Sequence, residues 1–149
     1  MIIKSLCIFF LFTFFVACNN QTQQTKQNNE PQAANAINCY RSINNNDTVL
    51  LTTKDSGGVI TGTLVYHLSE KDKNTGTIQG NIKDSLLVAD YTFMSEGTTS
   101  VRQVAFKKTA NGFVEGYGDM EEKDGKMIFK NTGALTFNNI TVLSNVDCE

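Results

Sequence analysis

The chain predicts an all-β fold, an up-and-down antiparallel meander that closes into a barrel of eight or nine strands, and three observations predict it. From Asn38 on, short runs rich in Val, Ile, Thr, Phe and Tyr are separated by Gly, Asn, Asp and Ser clusters, at the roughly 8- to 12-residue spacing of an antiparallel β domain. No segment offers a competing helical period. The turn-forming pairs, finally, put the apolar residues of successive strands on one common face. Strands are expected at 38–43, 48–54, 59–68, 76–83, 86–95, 98–108, 112–121, 126–130 and, least sharply, 134–144.

Each hairpin fixes which residues face one another, and facing residues share a side of the sheet. A two-residue turn at Glu96-Gly97 places Phe93, Tyr91, Ala89 and Leu87 opposite Ser100, Arg102, Val104 and Phe106. A turn at Asp84-Ser85 places Ile82, Gly80 and Ile78 opposite Leu87, Ala89 and Tyr91. A four-residue loop at 55–58 pairs Val49, Leu51 and Thr53 with Ile60, Gly62 and Leu64. A turn at Asn111-Gly112 brings Phe113, Glu115, Tyr117, Asp119 and Glu121 onto the same face. So many consecutive strands with one apolar face each would leave long unpaired edges in an open sheet, and closure removes them.

Closure brings the first and last strands together and makes partners of Cys39 and Cys148. Both other cysteines are accounted for upstream. A single Lys4 precedes the apolar run from Leu6 to Ala17, long enough for a signal-peptide core but short of the roughly 20 residues of a membrane-spanning helix. The run ends in Phe15-Val16-Ala17-Cys18, which resembles the bacterial lipobox, so that residues 1–17 are expected to be removed, Cys7 with them, and Cys18 to carry lipid. Two or more acyl chains suffice for stable anchoring. Residues 19–37 contain ten Asn or Gln in nineteen positions and the only proline, Pro31, and with the lipidated Cys18 they read as a solvated tether ahead of a β domain at 38–149.

Composition narrows the function. The 149 residues suit one modest domain, the net charge is −2, and there is a single His and no Trp, which argues against a basic nucleic-acid reader and against a multi-histidine metal site. The one imidazole, His67, falls on the solvent face by alternation. Gly116-Tyr117-Gly118 lies along a strand rather than before a helix and is no phosphate cradle. The charged loop from Ser69 to Gly76 lacks the ligand spacing of an EF-hand. No catalytic constellation, metal site or cofactor is implied.

The order of features, from the lipobox and polar tether through Cys39-Tyr40, Gly62-Thr63-Leu64-Val65-Tyr66, Glu70-Lys71-Asp72, Gly76-Thr77-Ile78-Gln79-Gly80, Tyr91 to Gly97, Ser100-Val101-Arg102 and Glu115-Gly116-Tyr117-Gly118, resembles small envelope lipoproteins of Bacteroidota with lipocalin-like barrels. The resemblance implies an outer-membrane, lipid-anchored location and a lipocalin-like barrel, and it supplies no catalytic residues.

One interior feature is out of the ordinary. Arg102 is expected on the apolar face beside Tyr91 on one neighbouring strand and Glu115, Tyr117 and Asp119 on the other. Such a group is either a structural network that closes one end of the barrel or an anchor for a ligand carboxylate or phosphate. Gly62, Gly80 and Ala89 also point inward. They leave a cavity, or room for Phe93, Phe106 and Tyr66 to cross the barrel, or bends needed for closure. Two functions follow. The first is a non-enzymatic structural or protein-interaction module in the envelope, using Val59, Val65 and the 69–76 loop. The second is a lipocalin-type carrier for a small apolar ligand. An interior packed solid by aromatics would exclude the carrier, whereas a cavity of a few hundred Å³ beside Arg102 would favour it.

Overall fold

The computed structural model describes residues 36–69 and 71–149. The expected leader, the lipidation at Cys18 and nearly all of the tether lie outside the described residues, as does Glu70. Among the described residues there are ten strands: β1 (Ile37–Asn44), β2 (Asp47–Ser56), β3 (Val59–His67), β4 (Asn74–Lys83), β5 (Leu86–Ser95), β6 (Thr98–Thr109), β7 (Gly112–Gly116), β8 (Met120–Lys123), β9 (Lys126–Phe129) and β10 (Val142–Val146).

Strands β1 to β7 follow one another as an antiparallel meander, and β10 lies between β7 and β1. The eight strands β1–β7 and β10 form a closed barrel, with β8 and β9 as an additional hairpin. Each of the eight strands thereby has a paired neighbour on both sides, as the closure argument requires. The disulfide joins Cys39 on β1 to Cys148 just beyond β10, with Cα atoms 5.3 Å apart, at the same place where the two terminal strands pair.

The tight turns set the registers. Asp84 and Ser85 have φ of 49° and 68°, Glu96 and Gly97 of 50° and 78°, the left-handed pairs that match the twist of flanking strands. Their hairpins pair Tyr91 with both Ile78 and Arg102, as expected. Two registers differ from expectation by two residues. The β2–β3 turn is the two-residue Gly57-Gly58, so Leu51 faces Leu64 and Thr53 faces Gly62. The β6–β7 turn is Ala110-Asn111, so Phe106 faces Glu115. Gly112 belongs to the strand: a Cβ there would lie 1.9 Å from the Leu143 carbonyl oxygen on β10. A shift of two preserves which side each residue faces, so the apolar face survives both corrections.

That face is the core. Leu51, Leu64, Ile78 and Val104 fill the middle of the barrel, and Tyr40, Leu87, Phe106, Phe113 and Leu143 pack toward the disulfide end, with Leu87 facing Phe106 and the Tyr40–Phe113 ring centroids 5.0 Å apart edge to face. The inward glycines serve close backbone approach rather than a void. A Cβ on Gly80 would meet the Val88 oxygen at 2.1 Å, and one on Gly76 would enter the ring of Tyr91.

The C-terminal third departs from the expected strands. The stretch expected as one strand at 112–121 divides into β7 and β8, and the region expected at 134–144 is a 3₁₀ turn at Thr132–Ala134 followed by irregular chain and β10. The cause lies at Gly116 and Gly118. Phe137 and Leu135 lie over these glycines, where added Cβ atoms would meet them at 2.5 and 2.9 Å, and Tyr117 pairs with Thr136 in an isolated bridge. The overlying segment ends β7, buries its outer side and turns the chain away from the barrel wall. The hairpin of β8 and β9 then takes the place beside upper β6, with Met127 next to Arg102 and the Phe129 amide donating to Gln103 Oε1 at 3.1 Å.

Candidate functional site

Alternation along a meander puts every second connection at the same end of the barrel. The β1–β2 turn, the β3–β4 loop and the β5–β6 turn therefore share one end, and the amino terminus of β1 with the disulfide marks the other. At the first end lies a cavity of about 370 Å³ whose walls include Ser42, Val49, Tyr66, Arg102, Glu115 and Thr141, with Asn44, Asp47, Lys71 and Asn74 among the residues at its rim.

Three aromatic rings surround the Arg102 guanidinium, whose central carbon is 5.4 Å from the ring centroid of Tyr66, 5.6 Å from Phe93 and 5.8 Å from Tyr91. Contacts at this range stabilise a cation by its attraction to the ring quadrupole. Rings do not, however, accept hydrogen bonds in the guanidinium plane, and Arg102 Nε is buried without a partner. Among the described residues the one ion pair is Lys126 with Asp90 at 2.5 Å, on the outside of the barrel.

Glu115, only 6% exposed, is already engaged. Its Oε1 accepts from the Tyr66 hydroxyl at 2.5 Å and its Oε2 from the Tyr117 hydroxyl at 2.9 Å, and the Tyr117 hydroxyl also lies 2.9 Å from Thr141 Oγ1. Burial pushes the Tyr66 hydroxyl far above the usual phenol range, and the neighbouring Glu115 carboxylate pushes it further, against a smaller opposing pull from Arg102. Tyr117 is pushed up to about 12, by burial first, with Glu115 adding to the effect and the Thr141 hydrogen bond and Arg102 opposing it. Both hydroxyls stay protonated at neutral pH and act as donors to the carboxylate.

The expected site residues divide as follows. Arg102, Glu115 and Tyr117 come together on the cavity wall. Tyr91 lies below it, fully buried and stacked on Phe93 at 4.8 Å, with its hydroxyl unpartnered and its pKa raised by burial; it meets Arg102 through its ring. Asp119 does not belong to the group. It is exposed in the link between β7 and β8, and its carbonyl accepts from the Lys130 amide at 2.9 Å. Glu121, on β8, is exposed as well. Both were expected inside because a continuous strand through 121 would carry the alternation past Gly116, where the barrel wall in fact ends.

Sequence reasoning named the 69–76 loop, which holds Lys71 and Asn74, as an interaction surface but did not bring it together with Asn44 and Asp47 at the mouth of a cup. Asn44, Asp47, Lys71 and Asn74 each flank a connection at the same end, a placement already contained in the meander once its turns are known. Ile140 and Thr141 carry no such signal, since irregular chain brings them over the mouth. His67 is exposed, as expected, and lies beside a shallow surface depression with Ser69 and Asp72. Arg102 and Glu115 also border a second cavity of about 120 Å³ towards Val104, Met120 and Phe129, at the seam where β9 replaces β7 beside β6.

Compared with known proteins, the chain matches no family model, no curated protein and no solved structure.

Proposed function

We propose that this chain is a lipid-anchored envelope lipoprotein whose barrel binds a small ligand in the cup at one end. The observation that carries the reading is the cavity of about 370 Å³ with the half-buried Arg102 on its wall, its Nε buried without a hydrogen-bond partner. A cup of this size with a few convergent polar groups has the form of a small-molecule site. The lining favours a polar ligand over the apolar one expected of a lipocalin-type carrier, because Ser42, Asn44, Asp47, Lys71, Asn74 and Thr141 stand among its residues.

Binding rather than catalysis fits the state of the hydroxyls. Tyr66 and Tyr117 have raised pKa values and are committed as donors to Glu115, the opposite of an activated nucleophile or base. An anchor at Cys18 would join the barrel through Ile37, at the end opposite the cup, and would leave the mouth open to solvent. Native mass spectrometry of the protein purified from its own envelope tests the reading. The expected spectrum shows a small non-protein mass on the folded, lipidated chain. Lipidated polypeptide alone would overturn the ligand-binding reading, and a bound protein in place of a small molecule would return the barrel to an interaction module.

A further inference from the structure

Resting on that binding reading, we propose that the ligand is a small hydroxylated carboxylate, of the chemical class of the sugar acids, held by its carboxylate on Arg102. Among the described residues the cup has two carboxylates, Asp47 and Glu115, and two cations, Lys71 and Arg102, and they differ in how far each is already satisfied. Glu115 accepts two tyrosine hydroxyls, and Asp47 Oδ1 accepts the Ser69 amide at 2.6 Å. Arg102 has ring faces around it and a buried Nε with no hydrogen-bond partner, and Lys71 at the rim is in no ion pair, both among the described residues. What the described residues do not supply is therefore an acceptor for Arg102, and an anion would supply one. A planar carboxylate matches the fork of the guanidinium and supplies two acceptors at once.

The rest of the lining specifies the body of the molecule. Ser42, Asn44, Asn74 and Thr141 offer short hydroxyls and amides that both donate and accept, the groups that pair with alcohols, and the ring of Tyr66 with Val49 provides an apolar wall. A long alkyl chain would strip water from these polar groups without replacing its hydrogen bonds. The volume of about 370 Å³ lies near the lower end of small-molecule sites and suits a single sugar-sized ring.

Calorimetric titration of the full lipidated chain in detergent, with three probes, tests this. Glucuronate carries both the hydroxyls and the carboxylate, glucose lacks the carboxylate, and octanoate lacks the hydroxyls. Glucuronate is expected to bind at least tenfold more tightly than either, and Arg102→Lys, which keeps the charge but not the fork, to lose at least tenfold for glucuronate. Equal affinity for glucose and glucuronate, tighter binding of octanoate, or no binding of any probe would each overturn the proposal. The comparison of probes on the unaltered chain stands even where the variant fails to fold. A small molecule seen by native mass spectrometry together with failure of all three probes would overturn this inference alone, whereas its absence there removes the binding reading beneath it.

Discussion

The two ends of the barrel are built from the same alternating strands and do opposite things with them. At the end where β1 begins and β10 finishes, the rings of Tyr40, Phe106 and Phe113 pack edge to face beside Leu143, and the Cys39–Cys148 bond ties the first strand to the residues after the last. At the other end, the inward positions carry Ser42, Tyr66, Arg102 and Glu115 around a cavity. The first end is where closure is secured. The second keeps unsatisfied donors in a partly dry site, an arrangement that costs stability unless something else supplies the missing acceptor. The difference teaches that a small barrel can separate the two demands along its axis, with the buried Leu51, Leu64 and Ile78 of mid-strand positions lying between the two ends.

Four measurements would break or sharpen this division. The largest expected effect is at the termini. Replacing both Cys39 and Cys148 with Ser releases a loop with a sequence separation of 109. The chain-entropy treatment puts the loss at about 4 to 5 kcal/mol. Urea unfolding should show it as a lower midpoint, while ligand binding in the folded fraction stays unchanged; a loss of affinity would mean the ends are coupled.

Next comes Tyr66→Phe, which removes one of the two hydroxyls that satisfy buried Glu115. The cost should be about 1 to 3 kcal/mol, with ligand affinity reduced as well. An affinity that does not change while stability falls would assign the Tyr66–Glu115 pair to the frame alone. Tyr117→Phe should cost less, about 0.5 to 1.5 kcal/mol, because Tyr117 is 38% exposed and water can replace its hydrogen bond.

The smallest effect is absent at neutral pH and appears only in alkali. The folded-state pKa of Tyr117 is about 12 against an unfolded value near 10, so the protonated hydroxyl contributes stability that is fully present below about pH 10 and is lost as pH rises towards 12. Tyr66 and Tyr91 shift in the same direction. Tyrosinate absorbance at 295 nm should therefore lag in the native chain relative to the urea-unfolded chain around pH 11. Coincident titration curves would show that the cup's hydroxyls are open to water.

Legibility followed the range of the interactions involved. The hairpins at Asp84-Ser85 and Glu96-Gly97 were readable because a two-residue turn with left-handed backbone leaves a single register, and Tyr91 opposite Arg102 came with it. Gly57-Gly58 could be mistaken for part of a longer loop, yet the error of two residues left Leu51 and Leu64 facing inward. Asn111-Gly112 misled for another reason: Gly112 answers to the close approach of β10, a partner some thirty residues away, and not to a turn. Asp119 failed as a site residue because nothing local in Glu115-Gly116-Tyr117-Gly118-Asp119 announces that Phe137 and Leu135 will settle on the two glycines and end the strand.

The sequence by itself determined the all-β meander, the inward face and the pairing of Cys39 with Cys148, because side-chain alternation and tight-turn chemistry act between neighbours and closure follows from their repetition. Only the tertiary structure decided that β10 completes an eight-stranded barrel, that β9 rather than β7 lies beside Arg102, and that the space left at one end is a polar cup. Those outcomes rest on how the segment 130–141 packs over Gly116 and Gly118, a contact between distant parts of the chain that no local pattern encodes.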